Sequence, residues 1–176
     1  MDYYTTLVKN KNLANSGRFR VNMGNIYYAQ KKYSMAIRMY RMALDKLPKE
    51  FSSMRNKILK NIGHAFVKIG KFQEAILSYE TVMEDVPDFQ SAFNLILCLY
   101  ALGDTERMKA CYVNMLNIEI PGLFEEEEGE EFMEKKESDN LMEDLKDRKR
   151  SACNYLINAA KLIAPTFSDD EIEGYN

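Results

Sequence analysis

Histidine occurs once in the 176 residues, at His64, which leaves no pair for a zinc site or a two-histidine mechanism. No Ser, Cys or Asp stands at a defined spacing from it, so His64 reads as a groove-lining or packed side chain rather than a catalytic base. Cysteine is scarce too. Cys98, Cys111 and Cys153 are an odd number without C-x-x-C spacing, and they read as buried free thiols of a reducing, intracellular compartment. The glycines form neither G-x-x-x-x-G-K nor G-x-G-x-x-G, so no loop is built to cradle a phosphate. The longest apolar run, residues 95–102, falls far short of the ~20 residues that span a bilayer, and the amino terminus has no basic region leading into an apolar stretch. These absences argue against an enzyme, a metal or cofactor, a small-molecule substrate, a classical secretion signal and direct membrane insertion.

Charge of one sign is also missing from the total, with 24 Lys and Arg against 27 Asp and Glu, a net of −3 and a pI near 5.4. The whole molecule offers nucleic acid no electrostatic attraction. The balance is uneven along the chain. Residues 1–120 hold 17 basic and 11 acidic side chains, whereas residues 121–139 hold 2 and 9. Glu125, Glu126, Glu127, Glu128, Glu130 and Glu131 form a block too self-repelling to fold alone, either a docking tail for a basic partner or a solvated spacer.

What is present is helical periodicity. No Asn-Gly or Asp-Gly hairpin separates alternating strands, and from Phe19 onward apolar residues recur at three- and four-residue intervals. Pro48, Pro87 and Pro121 end segments, and Gly70 and Gly103 stand where a helix would terminate in a left-handed residue. The spacing predicts helices over 18–31, 33–47, 52–69, 72–85, 88–102 and 104–117.

An internal repeat explains the spacing. Met23-Gly24-Asn25-Ile26-Tyr27 is followed by Ala36, Tyr40, Ala43 and Pro48; Ile62-Gly63-His64-Ala65-Phe66 is followed at the same intervals by Ala75, Tyr79, Val82 and Pro87. This is the tetratricopeptide (TPR) pattern, an antiparallel helix pair per repeat, and it predicts an all-α solenoid. Small residues at Gly24, Gly63, Ala36 and Ala75 let the helices of a pair approach. Tyr27, Phe66, Tyr40 and Tyr79 are expected to fill the space between one pair and the next. A third copy holds the apolar register through Leu95, Leu99, Met108, Tyr112 and Met115, but Ile96 and Met108 replace its small residues, so looser packing or a different crossing is expected.

The predicted organisation is an extension or the end of a preceding helix over 1–16, repeats over 17–121 (17–50, 56–88 and 89–121), an acidic flexible linker over 122–139, a long amphipathic helix over 140–165, and a tail over 166–176. Ser138 or Asn140 can cap that helix, whose apolar stripe is Leu141, Leu145, Ala152, Leu156, Ala159 and Ile163. Five extra residues around 49–53 should lengthen the connection between the first two repeats or the start of the next helix.

A stacked array presents a concave surface lined by the first helix of each pair. The register turns Val21, Asn25, Tyr28, Lys60, His64, Lys68, Phe93, Leu97 and Tyr100 inward, a mixture of base, amide and aromatic suited to a peptide or a partner helix. The protein itself can also fill such a groove.

The runs 23–48, 54–83, 103–112 and 159–165 carry residues the repeat does not demand: Arg38-Met39-Tyr40-Arg41-Met42-Ala43-Leu44-Asp45, Met54-Arg55, and Ala159-Ala160-Lys161-Leu162-Ile163-Ala164-Pro165. In these the chain resembles the amino-proximal region of the TPR subunits of intraflagellar transport complex B. The resemblance implies a non-enzymatic scaffold in ciliary transport and cilium assembly, at the cilium and ciliary base, with other complex B subunits as protein partners. It also implies that Tyr3, Tyr4 and Leu7 end a preceding second helix. That family interrupts its array with an acidic insertion and a long helix, similar to residues 121–163, and then continues through further repeats. This chain stops at Asn176, and is expected to be a fragment, a truncated product or a short paralogue. A general TPR adaptor or co-chaperone binding a peptide in the groove is the other reading. Asn25 and Asn61 match two positions of the clamp that grips an acidic chain end, but Val21, Gln90 and Asn94 replace its basic members.

Overall fold

The computed structural model describes residues 16–119 and 138–167, and the described residues are helices joined by short connections, with no strand. The first pair is α1 (Ser16–Ala29) and α2 (Tyr33–Leu44), the second α3 (Ser52–Lys68) and α4 (Phe72–Asp85), the third α5 (Phe89–Leu102) and α6 (Thr105–Leu116). A longer helix, α7 (Ser138–Ile163), runs into a 3₁₀ turn at Ala164–Thr166. Two- and three-residue turns join the members of each pair and reverse the chain, so they lie antiparallel. Each second helix packs on the first helix of the next pair, and α7 packs on α5 and α6. The chain is an all-α TPR solenoid. The expected extension over 1–16, acidic linker and tail lie, but for a few terminal residues, outside the described residues, as do Pro121 and the side chains of Asn140 and Leu141.

Helix ends follow from local chemistry. Gly70 and Gly103 close α3 and α5 at φ of 74° and 72°, a region that favours glycine. The equivalent residue after α1 is Lys31, which adopts φ of 60°, and α1 therefore stops at Ala29 rather than at 31. Helix α2 ends at Leu44, short of the expected 47. Residues 46 and 47 donate three residues back, Lys46 to the Ala43 carbonyl and Leu47 to that of Leu44, because Pro48 disfavours helix in the residue before it. The extra residues between the first repeats are used in both ways foreseen. Residues 45–51 form a long connection, and α3 has 17 residues where α1 and α5 have 14.

Ala36, Ala43, Ala65, Ala75 and Ala92 are fully buried and set the close approach of the helices. Tyr40 and Tyr79 do not sit simply between pairs, as expected of them; each ring covers the glycine of its own pair. A Cβ on Gly24 would overlap the Tyr40 ring at Cε1, and one on Gly63 would lie 2.7 Å from Tyr79 Cζ. Phe66 is buried beneath the guanidinium of Arg41, 5.4 Å from the ring centre, and Tyr27 is half-buried against the core. Pro48 and Pro87 lie exposed in the connections between pairs.

In the third pair Ile96 and Met108 are both fully buried in place of small residues. An open cleft of about 870 Å³ lies between α4 and α6, bordered by Met83, Leu99, Cys111 and the Glu80–Arg107 ion pair. On α7, Ala152, Ala159 and Ile163 are buried, Leu145 and Leu156 half-buried. Cys98 and Cys111 are buried, but Cys153 is exposed, which corrects the expectation for all three thiols: its position on α7 faces away from the stripe that docks.

Candidate functional site

The first helices α1, α3 and α5 carry the nine groove candidates, and the structure brings four of them to one place. Tyr28, His64, Lys68 and Leu97 wall a cavity of about 230 Å³, together with Tyr79 and Asn94 and with Val67, Phe72 and Cys98 between them. Asn25 lies outside it, exposed, and its Oδ1 accepts a 2.8 Å hydrogen bond from Tyr40 Oη. Lys60 forms a 2.9 Å ion pair with Asp88. Val21 is half-buried against the core, and Tyr100 is exposed at the surface. Phe93 meets α7, where the Tyr155 ring lies 5.6 Å from it, so this end of the groove is covered by the chain's own last helix.

Asp88 shows how the second and third pairs are tied. Its carboxylate caps α5, accepting from the Ser91 amide at 3.0 Å and the Ser91 hydroxyl at 2.8 Å, while Lys60 of α3 reaches it from the preceding pair. Burial raises the Asp88 pKa, but the hydrogen bonds from Lys60 and Ser91 outweigh it and hold the carboxyl below its ordinary value.

The imidazole is set by its neighbours. Asn94 Nδ2 lies 3.1 Å from His64 Nε2, and the Tyr79 ring is 5.9 Å away. Burial, then the charges of Lys60 and Lys68, push the His64 pKa down, so the ring is neutral around pH 7 and Nε2 accepts from the amide. Burial pushes the Tyr40 hydroxyl up to about 12, with Tyr28 adding to it. Tyr79 is raised further, again by burial first and then by Cys98 and Tyr28. Its Oη is buried without a hydrogen-bond partner. No carboxylate or reactive thiolate faces His64, and among the described residues no three His, Cys, Asp or Glu side chains are placed to hold a metal ion. Among the described residues the cavity lining brings no base and nucleophile into contact.

Tyr79 and Asn94 belong to this cavity although only the first stood among the structural positions and neither among the groove residues. A signal was there. Gly63-His64 repeats the register of Gly24-Asn25 and Tyr79 that of Tyr40, so His64 is the expected neighbour of the Tyr79 ring. Asn94 is different, because the histidine is met from the next pair.

Helix pairs with this register define a TPR α-solenoid, and a tetratricopeptide-repeat family model matches residues 20–53 and 58–92. Those matches cover most of the first two pairs and end at residue 92, ahead of Ile96 on α5 and Met108 on α6. Over its whole length the chain is similar to the Intraflagellar transport protein 88 homolog of Homo sapiens, at 36% identity across 183 aligned residues. It spans 22% of the length of that relative.

Proposed function

We propose that the chain is a non-enzymatic protein-interaction scaffold acting in intraflagellar transport, with other subunits of complex B as its partners, at the cilium and ciliary base, in support of cilium assembly. Identity to the human intraflagellar transport relative along the full chain carries this reading. The helix pairs support the scaffold part of it, with a cavity lined by the first helices of successive pairs. A clamp for an acidic chain end fits less well, since Val21, Gln90 and Asn94 offer no fixed cation and Asn94 is engaged with His64.

Affinity purification of the tagged chain from a ciliating cell, with mass spectrometry of what stays bound at moderate salt, tests the proposal. Recovery of transport-train subunits supports it. Recovery of chaperones alone, lost on changing Asn25, favours the co-chaperone reading.

A further inference from the structure

The cavity between α1, α3 and α5 holds an unanswered donor. Tyr79 is 1% exposed and its hydroxyl has no partner, whereas the equivalent Tyr40 donates to Asn25. A buried hydroxyl left unpaired is unfavourable, and such groups are few in native proteins. His64 holds the register position of Asn25, yet its Nε2 is engaged by Asn94 from the following pair. The Tyr79 side chain is thus set into the cavity wall, beside Tyr28 and Cys98, with nothing to donate to.

The surroundings are positive. Residues 16–72 carry 13 Lys and Arg against 2 Asp and Glu, while residues 73–119 carry 2 against 8. Lys68 and Phe72, on either side of the turn after α3, line the cavity, and Lys31 and Lys32 follow the lining residue Tyr28 by three and four positions in the chain. No carboxylate lines the cavity, and among the described residues none pairs with Lys31, Lys32 or Lys68. Lys31 occupies, at φ of 60°, the position filled by Gly70 and Gly103 in the later repeats. The backbone favours glycine there, and the chain places a cation instead.

We propose that this cavity receives the side-chain carboxylate of a glutamate or aspartate from an extended acidic segment of a partner protein, with Tyr79 Oη as donor and Lys31, Lys32 and Lys68 as its cationic rim. The proposal rests on the scaffold reading in taking the ligand to be a protein. At about 230 Å³ the space suits one side chain rather than a folded element. Lys68 and Leu97 are the exposed members of the wall. A side chain is favoured over a chain end because the positions that would grip a terminal carboxylate are Val21, Gln90 and Asn94. The acidic second half disfavours a polyphosphate backbone lying along the groove.

His64 is the single histidine, so its ring resonances report on the cavity in the unaltered chain. The probes are a short acetylated and amidated peptide of alternating Glu and Gly, its Gln counterpart, and the Gln peptide with a free carboxy terminus. The expected result is a saturable His64 shift with the Glu peptide alone, at an affinity that falls about tenfold in Tyr79→Phe through loss of a charge-assisted hydrogen bond. The pair Lys31→Gly and Lys32→Ser should weaken binding and flatten its salt dependence. Without peptide, Tyr79→Phe should melt at or above the parent temperature, while Tyr40→Phe melts below it. Equal binding of the Gln peptide, an unchanged affinity in Tyr79→Phe, or a lowered melting temperature for Tyr79→Phe would each overturn the proposal, the last by showing that the hydroxyl already has a partner. Binding of the free-terminus peptide alone would overturn it in favour of chain ends. None of these readouts needs a transport subunit, so this proposal and the transport reading fail separately.

Discussion

The ring of Tyr79 occupies the space that a side chain on Gly63 would need, with Cζ 2.7 Å from the position of a Cβ. Tyr40 stands in the same relation to Gly24. Each of the first two repeats therefore closes by setting a tyrosine of its second helix onto a bare stretch of backbone in its first, and the close approach of the helices depends on that absence of side chain.

Gly63→Leu should destabilise the chain by about 1–3 kcal/mol, because the buried Tyr79 ring has nowhere to move. Gly17→Ala is the control: its Cβ would meet Leu47 at an ordinary 3.8 Å, so the helix-propensity gain of Ala over Gly should leave stability unchanged or higher. Urea unfolding of the two variants separates close packing from a general intolerance of substitution at glycine.

Lys31→Gly should stabilise the fold by a few tenths to about 1 kcal/mol, since glycine relieves a left-handed residue while adding freedom to the unfolded chain. Gly70→Ala, at φ of 74°, should move the other way by about 1 kcal/mol. Thermal melts of both variants measure this, and a loss of stability in Lys31→Gly would show that the lysine makes a folded-state contribution larger than its strain.

Much of this architecture is legible in the residues, and the boundary of what is legible has a physical cause. Proline at 48 and 87, glycine at 70 and 103, and the paired Gly24–Tyr40 and Gly63–Tyr79 registers are local or near-local signals, and the helices follow them closely. The engagement of His64 by Asn94 joins side chains 30 residues apart across a boundary between pairs, so no repeat register encodes it. The stacking of Tyr155 on Phe93 depends on how α7 returns to the array, which a stripe of apolar residues restricts to a face but not to a partner. Tyr155 itself lies beside the predicted stripe rather than on it.

Acid should weaken the fold in two separate windows. His64 has a folded pKa below its ordinary 6.5, through burial and then Lys60 and Lys68. As the pH falls below 6.5, the unfolded chain takes up a proton that folded His64 does not, so stability declines until the folded pKa is reached and then levels off; above 6.5 this residue contributes no slope. Asp88, also depressed, contributes stability above its ordinary 3.8 that is lost as the pH falls further. Urea titrations of the parent and His64→Gln across these ranges should show the upper slope abolished in the variant and the lower one kept.

Asp88→Ala should cost about 0.5–2 kcal/mol, the range for removing a capping side chain, and should loosen the second pair from the third. Asp88→Asn keeps an acceptor for the Ser91 amide but removes the charge facing Lys60, so its loss should be smaller and should vanish at high salt. Unfolding in low and high salt tells cap from ion pair, and equal losses in the two variants would assign the whole effect to the charge.

Thiol labelling examines the third pair and the docking of α7 together. Cys98 on α5 and Cys111 on α6 are 1% and 7% exposed, and burial pushes each thiol up to about 11, for Cys111 with Glu80 raising and Arg107 lowering it. Thiolate is the reacting form, so both should resist an alkylating reagent at neutral pH. Cys153 is exposed on the outer side of α7 and should react at once, leaving the melting temperature unchanged when labelled and leaving no fast phase in Cys153→Ser. The slow phase then measures the opening of α5 from α6, where Ile96 and Met108 stand in place of small residues. A second fast thiol would mean that this pair, with its open flank toward α4, separates while the first two pairs stay closed.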